Sequence, residues 1–522
     1  MDSILSSFSS SFDSTSLTQA VLVLIPSLLA VRALSQTRQR PSGVPVVPSS
    51  WIPLMGSTAE YFSSICQFMQ RYGKQYQKQG IFCAHILGRD WYFLLHKDDV
   101  AKALQSSEKA VSMYEALDIV TNNLLPTEAI EARSLPQDVQ NAMARKGPHG
   151  KSSTPAFIHS LKRLPQWTQT LQQAFQYNFH HAMAKQGEHN LFDWCKDLIS
   201  IATAKVLLGS NIDMKIVQEW VVRVNDADIE QALIGGGLDN LRLMYEANVL
   251  GERQAYVQLR KFIYPVVEEA IEQFLQSRND DSVETNDGAL GALIESTYQM
   301  VDQNPVYLRM AKIRVANDMI FFTFAAISTC YSKKSKVFFF LFALFSHIVP
   351  LSISANSYSA AAWSLFHVLR DTHGCGTAVL QALDKAEQVS AKTGERFVVP
   401  EILENFVNEL TRLYTPANVF RYLKKDFALS SNPQIILPQG SMISVSVSLT
   451  GTNPAIWPDN PHYFDPQRFS NKPPSGVFVG FGAGAHPCVG KKLAMTEIAL
   501  FVAQVLQPTI WNWSNANTNP MT

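Results

Sequence analysis

Residues 481–490 read Phe481-Gly-Ala-Gly-Ala-His-Pro-Cys-Val-Gly490, and this stretch decides the fold. Its cysteine, Cys488, stands in a glycine-rich loop that leads into a helical stretch, Lys491–Leu500. Unpaired N–H groups at a helix N-terminus stabilise a thiolate, and glycines let the backbone fold closely around a sulfur that binds a metal. The pattern favours a metal-bound Cys488 over the alternative, a buried cysteine that packs as a small hydrophobic residue.

Two further motifs lie upstream of this loop in a fixed order. Glu409-Leu-Thr-Arg412 falls within a predicted helix, Glu401–Tyr414, where residues three apart share one face and can form a carboxylate–guanidinium pair. Phe464-Asp-Pro-Gln-Arg-Phe469 follows, and the cysteine loop comes last. Alone, the Glu409 and Arg412 pair would be an ordinary solvated helix pair; the order of the three motifs makes it a candidate part of one site.

This succession resembles the K helix, the Phe-x-Pro-x-Arg-Phe segment and the haem loop of the cytochrome P450 family. The resemblance implies a mainly α fold with small β-sheets, haem b as cofactor, and Cys488 as the axial iron ligand that favours O–O cleavage. It also implies that a buried charge triad holds the loop behind the haem, and such a network is tolerable only when every charge is paired. The residues implied to support the cofactor are Phe481, Gly484, His486, Gly490, Arg421, Glu409, Arg412 and Arg468.

Two of these residues carry a more specific expectation. In the family, a strand arginine often faces a haem propionate, and Arg421 in Asn418-Val-Phe-Arg421 falls at that place. His486, two residues before the cysteine, occupies a position with the same duty. For Arg421 the alternative is a surface charge, because most arginines are exposed.

Composition limits the class of protein. The chain has 522 residues, is 46% hydrophobic, and carries 44 basic and 44 acidic residues, so it can bury a large core and has no global field that would attract nucleic acid. Six cysteines are scattered without paired spacing, which speaks against a disulfide scaffold or a zinc site and favours a reducing compartment.

The N-terminus predicts a membrane anchor. An apolar run, residues 17–31, precedes Arg32 and further arginines, and no basic region stands ahead of it. This distribution of charge favours a transmembrane helix, with the rest of the chain in the cytosol, over a cleaved signal peptide. A proline-rich spacer follows. We therefore predict an anchor segment (1–36), a hinge (37–56) and a haem-thiolate domain (57–522) at the endoplasmic reticulum membrane.

Local patterns predict some elements of that domain. Residues 81–87 and 91–95 indicate an early strand pair, and Ala255–Gln276 has apolar positions three and four apart over a helical length. Met442–Leu449 alternates as a half-buried strand would.

The central helix departs from the common family pattern. Phe321–Ser328 begins as that helix should, but residues 329–354 interrupt it with two lysines and a phenylalanine-rich stretch. When they are removed, the joined text resembles the Ala-Asn-x-x-x-Ala-x-x-Trp helix of the sterol 7α-hydroxylase and prostacyclin-synthase branch, from about Ile313 to Trp363. Asn356 then stands near the usual threonine and is the candidate catalytic residue. We interpret 329–354 as a translated intron; a real insertion or a membrane hairpin is the alternative.

A second departure is the missing Trp-x-x-x-Arg of the family's C helix. The segment at that place offers His149, Lys151 and His159 as substitutes, and at least two of them are expected to be surface residues.

The resemblance implies a monooxygenase that oxidises a bulky lipophilic molecule, such as a sterol, terpenoid or alkaloid of secondary metabolism. Its implied partners are NADPH–cytochrome P450 reductase and cytochrome b5. Lys491 and Lys492 would face such a partner from the proximal side of the haem; the alternative is that they are ordinary solvated lysines. Because the acid–threonine pair is absent, an isomerase or dehydratase that needs no O₂ or reductase stays open. A non-enzymatic haem or membrane protein, or an inactive product of intron retention, is the third alternative.

Overall fold

The computed structural model describes most of the chain between residues 40 and 506. The described ranges are 40–48, 56–63, 65–86, 89–121, 136, 158, 160–183, 190–226, 254–280, 282–297, 305–327, 357–371, 374–393, 397–415, 417–470, 477–484 and 486–506. The predicted anchor, the interruption 329–354, Asn356 and the C-helix candidates His149, Lys151 and His159 lie outside them. None of the helices within these ranges is long and apolar enough to cross a membrane.

The chain divides into two compact units, each formed by two segments of sequence. The sheet unit comprises the described parts of 1–116 and 420–445, and the helical unit those of 117–419 and 446–522. The architecture is mainly helical with small sheets, as the sequence predicts.

A five-stranded sheet organises the sheet unit, with strand order β1-β2-β7-β4-β3. β1 and β2 are antiparallel with Phe82 opposite Phe93, and β2 and β7 are parallel with Trp91 opposite Met442. β5 and β6 form a separate antiparallel pair. The strands are β1 Ile81–Ile86, β2 Arg89–Leu94, β3 Val111–Ser112, β4 Asn418–Leu423, β5 Phe427–Ala428, β6 Ile436–Leu437 and β7 Met442–Ser446. The predicted early strand pair is confirmed.

Aromatic residues of the helices pack on this sheet, and part of the predicted hinge pairs with its edge strand β1. Phe82 and Phe93 stack with centroids 4.6 Å apart, and Phe68 and Tyr61 close the same aromatic core. The Val47 N–H donates to the Cys83 carbonyl, so this part of the proline-rich segment pairs with β1. The helices of the unit are α1 Thr58–Ser63, α2 Ile65–Gln75 and α3 Lys97–Gln105, and α4 Met113–Thr121 begins there.

The prediction for Met442–Leu449 is wrong in two respects. All five residues of β7 are buried, so both faces of this strand are covered, as is typical of a strand that pairs in parallel, here with β2. The strand also ends early. Ser446 Oγ accepts a hydrogen bond from the Leu449 N–H and so caps a short helix, α14 Val447–Gly451, where alternation predicted strand.

The helical unit contains the longer elements. They are α5 Leu164–Met183, α6 Leu191–Leu208, α7 Met214–Asp226, α8 Gln254–Ser277, α9 Ala289–Thr297, α10 Pro305–Ile327, α11 Ser357–Leu369, α12 Cys375–Thr393, α13 Glu401–Tyr414 and α15 Lys491–Leu506. The predicted helices Ala255–Gln276 and Glu401–Tyr414 are confirmed as α8 and α13. α10 starts at Pro305, earlier than the predicted Ile313, because proline is favoured at a first helical position.

The helix that follows the cysteine loop lies at the centre of this unit. α15 packs against α5, α11 and α12, and apolar residues lie on all its sides, which is typical of a fully buried helix. Both α10 and α11 pack against α6. The cysteine loop therefore leads into a helix that other helices contact on several sides.

Candidate functional site

The cysteine loop is closed by its own backbone. The Cys488 N–H donates to the Phe481 carbonyl oxygen at 2.7 Å, and the Gly482 N–H donates to the Val479 carbonyl oxygen at 3.1 Å. Gly482 and Gly484 have φ angles of 70° and 69°, which side chains disfavour. A Cβ on Gly482 would also lie 2.7 Å from the His486 carbonyl oxygen. The glycines thus permit the tight turn that presents Cys488.

The sulfur of Cys488 lies at the N-terminus of α15. Burial raises the pKa of the thiol, whereas the nearby backbone N–H groups of Gly490 and Lys491 and the Lys491 charge lower it. The residue as a whole is nevertheless exposed, although protein atoms surround its thiol. A soft metal ion that binds there would deprotonate the thiol outright. The donor set fits an iron–thiolate bond.

The other predicted loop residues surround this position. Phe481 and His486 are half-buried, Gly484 is exposed, and Gly490 follows the cysteine by two residues. The Lys491 ammonium lies 5.4 Å from the Phe481 ring centroid, a cation–π contact that ties the two ends of the loop. Lys492 is exposed.

Helix α13 supports the loop through a glycine that sequence analysis missed. A Cβ on Gly480 would lie 2.5 Å from Thr411 Oγ1, so only glycine lets the loop approach the helix this closely. Thr411 Oγ1 in turn donates to the Asn408 carbonyl oxygen at 2.9 Å. The available signal was the glycine immediately before Phe481.

The Glu409 and Arg412 pair is fully buried. Arg412 Nε donates to Glu409 Oε2 at 2.6 Å and Arg412 Nη2 to Oε1 at 2.7 Å, and both side chains are 0% exposed. Such a two-bond pair is among the stronger charge-assisted contacts in proteins. The alternative of a solvated helix pair is wrong.

Three backbone carbonyl oxygens accept the remaining hydrogen bonds of the Arg412 guanidinium. Its guanidinium also donates to the carbonyl oxygens of Gly451, Pro461 and Tyr463. Since a guanidinium has five N–H donors, these three bonds and the two to Glu409 use all of them. The sequence does not mark these acceptors, because every residue has a carbonyl. The one local signal was Gly451, whose added Cβ would lie 2.2 Å from the Arg412 carbonyl oxygen.

Arg468 joins the pair from the Phe464–Phe469 segment. Its Nε lies 3.5 Å from Glu409 Oε1, and its Nη2 donates to the Asn460 carbonyl oxygen at 2.9 Å. The Asp465 N–H donates to the same Glu409 oxygen at 2.8 Å. The structure thus brings Glu409, Arg412 and Arg468 together.

Arg421 belongs to the sheet unit and is described there by itself. It is 2% exposed, so the alternative of a surface charge is wrong. Its Nη1 donates to the Phe420 carbonyl oxygen at 2.8 Å. Burial lowers the pKa of Arg421, and the charge of Glu108 acts in the opposite direction.

An accessible cysteine in a glycine-rich loop, backed by a buried glutamate–arginine pair, is the arrangement of a haem-thiolate protein. Comparison with known proteins agrees, because the family model described as "Cytochrome P450" matches residues 379–520. Residues 379–520 therefore match the cytochrome P450 family, whose cofactor is haem b held by a cysteine thiolate.

Several curated proteins are similar to parts of the chain. "Cytochrome P450 3A19" of Capra hircus aegagrus is 33% identical over 120 residues, which are 22% of this chain and 53% of the relative. "Cytochrome P450 4F2" of Homo sapiens is 29% identical over 156 residues, 28% of this chain and 29% of the relative. "Cyclooctat-9-en-7-ol 5-monooxygenase" of Streptomyces melanosporofaciens is 29% identical over 164 residues, 30% and 35% of the two chains. The matches thus span between 29% and 53% of the length of these relatives.

Proposed function

We propose that this protein is a haem-thiolate monooxygenase that oxidises a bulky lipophilic small molecule. The observation that carries the proposal is the exposed Cys488 at the N-terminus of α15, where the neighbouring N–H groups of Gly490 and Lys491 act to lower the pKa of its thiol against burial. One of the similar proteins is itself named a monooxygenase, and two others are named cytochromes P450.

The residues of the loop have distinct roles in this proposal. Cys488 binds the iron, and bound haem supplies the activation of O₂ that a protein side chain cannot provide. The Gly490 and Lys491 N–H groups hold negative charge on the sulfur, which moderates how strongly it donates to the metal. Glu409, Arg412 and Arg468 hold the fold behind the loop, and they take no part in the reaction.

The proposed partners follow from the need for electrons. NADPH–cytochrome P450 reductase, with cytochrome b5 as a second donor, would supply them one at a time. Lys492 is exposed beside the ligand loop and suits an acidic partner, whereas Lys491 is engaged with Phe481. The apolar run 17–31 supports anchoring at the endoplasmic reticulum, with the haem unit in the cytosol.

The first experiment tests the iron ligand. We expect the purified protein, reduced and exposed to carbon monoxide, to show the red-shifted Soret band of a thiolate-bound haem. Cys488→Ser should lose this band, because a hydroxyl is a much poorer donor than a thiolate. Cys375→Ser, which alters another cysteine of the same unit, should keep it. An unchanged band in Cys488→Ser would refute the assignment.

The second experiment separates two kinds of enzyme. NADPH consumption that depends on a lipophilic substrate supports the monooxygenase. Turnover of an organic peroxide substrate without NADPH supports the isomerase or dehydratase, which the lack of the acid–threonine pair favours, while Asn356 fits both kinds of enzyme.

The third experiment tests the interruption of the central helix. A version without residues 329–354 is expected to bind haem and oxidise substrate, while the 522-residue form is weak or inactive. An insertion there would break the hydrogen-bond ladder of a helix that must cover the haem. Equal activity of the two forms, or the lack of any spliced transcript without this segment, would contradict the intron interpretation.

A further inference from the structure

A cluster of aromatic rings joins α11 to α13. The rings of Trp363 and Tyr414 stack with centroids 4.1 Å apart and an interplanar angle of 8°. His367, one helical turn after Trp363, stacks on Phe464 with centroids 4.0 Å apart. The Ala-Asn-x-x-x-Ala-x-x-Trp motif predicts Trp363 but assigns no role to its ring.

Tyr414 and His367 form a polar contact inside this cluster. The Tyr414 hydroxyl oxygen lies 3.0 Å from His367 Nε2. Burial and the charge of Arg370 lower the pKa of His367 to about 4, so the imidazole is neutral at neutral pH. With its ring proton on Nδ1, the imidazole accepts the hydrogen bond at Nε2.

The charged groups that act on Tyr414 keep its proton in place. Burial raises the pKa of Tyr414, the charge of Glu409 raises it further, and the charge of Arg412 acts in the opposite direction. The phenol is therefore protonated at neutral pH, and it faces a neutral base at hydrogen-bond distance.

This arrangement has a chemical consequence that packing alone would not require. A phenol gives up an electron readily only when its proton leaves at the same time, because the oxidised phenol is a very strong acid. A neutral imidazole can take that proton even when its pKa is low. The indole of Trp363, stacked on Tyr414, is a second easily oxidised ring. The exposed ring of Phe192 packs edge-to-face with this indole, with centroids 5.7 Å apart.

We propose that Tyr414 and His367, with Trp363 stacked on the phenol, form a redox-active site that gives one electron to a high-potential oxidant. The O–H bond of Tyr414 breaks, the electron reduces the oxidant by one equivalent, and the proton moves to His367 Nε2. A neutral tyrosyl radical and an imidazolium remain. This site goes beyond the proposed function. It rests on that function only for the natural oxidant, which would arise when haem reacts with a peroxide.

The test uses an external oxidant and does not depend on enzyme activity. Photogenerated tris(bipyridine)ruthenium(III) oxidises the full-length protein, and electron paramagnetic resonance records the radicals that persist. Because the chain has 16 tyrosines, 3,5-difluorotyrosine is placed at position 414 in one sample and at position 463, an exposed tyrosine, in a control. We expect fluorine hyperfine splitting in the persistent signal only for position 414. An unsplit signal in that sample would overturn the proposal.

A pair of variants tests the role of the base. His367→Leu removes the proton acceptor, and the persistent signal is expected to fall at least tenfold. Phe366→Leu removes a neighbouring, partly exposed ring that contacts Trp363 and His367, and it should leave the signal unchanged. A full signal in a folded His367→Leu protein would show that proton transfer to this residue is not involved.

Discussion

Two buried arginines, one in each unit, differ in the hydrogen bonds and ion pairs that their guanidinium groups make. Arg412 in the helical unit uses all its donors on Glu409 and three carbonyl oxygens. Arg421 in the sheet unit donates one hydrogen bond, to Phe420, and makes no ion pair among the described residues. A buried charge is costly unless it is paired. Arg412 is thus satisfied by its own fold, whereas the described residues offer the Arg421 guanidinium a backbone acceptor and no carboxylate partner.

The largest expected effect comes from breaking the satisfied pair. Glu409→Ala leaves the Arg412 charge buried without its carboxylate, which should cost roughly 3–5 kcal/mol of the free energy of unfolding. We expect poor folding and low haem content, measured as the ratio of haem to protein absorbance, in place of a folded enzyme with slow turnover.

A matched control lies on the same helix. Glu404 is exposed on α13, and Glu404→Ala should change the free energy of unfolding by less than about 0.5 kcal/mol. A stable, haem-replete Glu409→Ala protein would remove the contrast between the two arginines, because Arg412 would then not depend on its partner.

A third buried ionisable side chain avoids the cost of a buried charge in another way, because it stays protonated and neutral. Glu497 in α15 is 1% exposed, and its Oε1 lies 2.9 Å from Thr203 Oγ1. Thr203 Oγ1 also lies 2.8 Å from the Ile199 carbonyl oxygen. Since one hydroxyl has one proton, both contacts are hydrogen bonds only if Glu497 is protonated and donates.

The second prediction is a pH dependence that Glu497→Gln removes. Burial raises the pKa of Glu497 from 4.5 to about 7, although the contacts with Thr203 and Ser357 act in the opposite direction. The stability from the neutral acid is full below the unfolded-state pKa and is lost as pH rises through the folded-state pKa, by roughly 3 kcal/mol. In urea unfolding, Glu497→Gln should exceed the natural protein in stability at pH 8 and approach it at pH 5. A difference that is equal at both pH values would contradict this account.

The comparison of these residues shows what the sequence can predict. The bounds of α13 follow from its apolar periodicity, and the Glu409–Arg412 contact follows from a spacing of three residues on one helix. The carbonyl acceptors of Arg412 and the burial of Arg421 depend on tertiary packing, which alternation and spacing do not encode. The strand predicted at Met442–Leu449 failed for the same reason, because this strand is buried on both faces and Ser446 caps a helix.

The smallest expected effect comes from Arg421, and its sign distinguishes it from Arg412. Arg421→Met removes a buried charge but keeps an apolar side chain, a change that is often neutral or stabilising. We expect the haem-free protein to be as stable as the natural one or more stable by about 1 kcal/mol. If the residue binds a haem propionate, as the family resemblance predicts, haem transfer to an acceptor such as apomyoglobin should become about tenfold faster, equivalent to about 1.4 kcal/mol. Arg71→Met, at an exposed arginine of the same unit, should change neither quantity. A destabilised haem-free Arg421→Met protein with unchanged haem transfer would mean that this arginine, like Arg412, serves only its own fold.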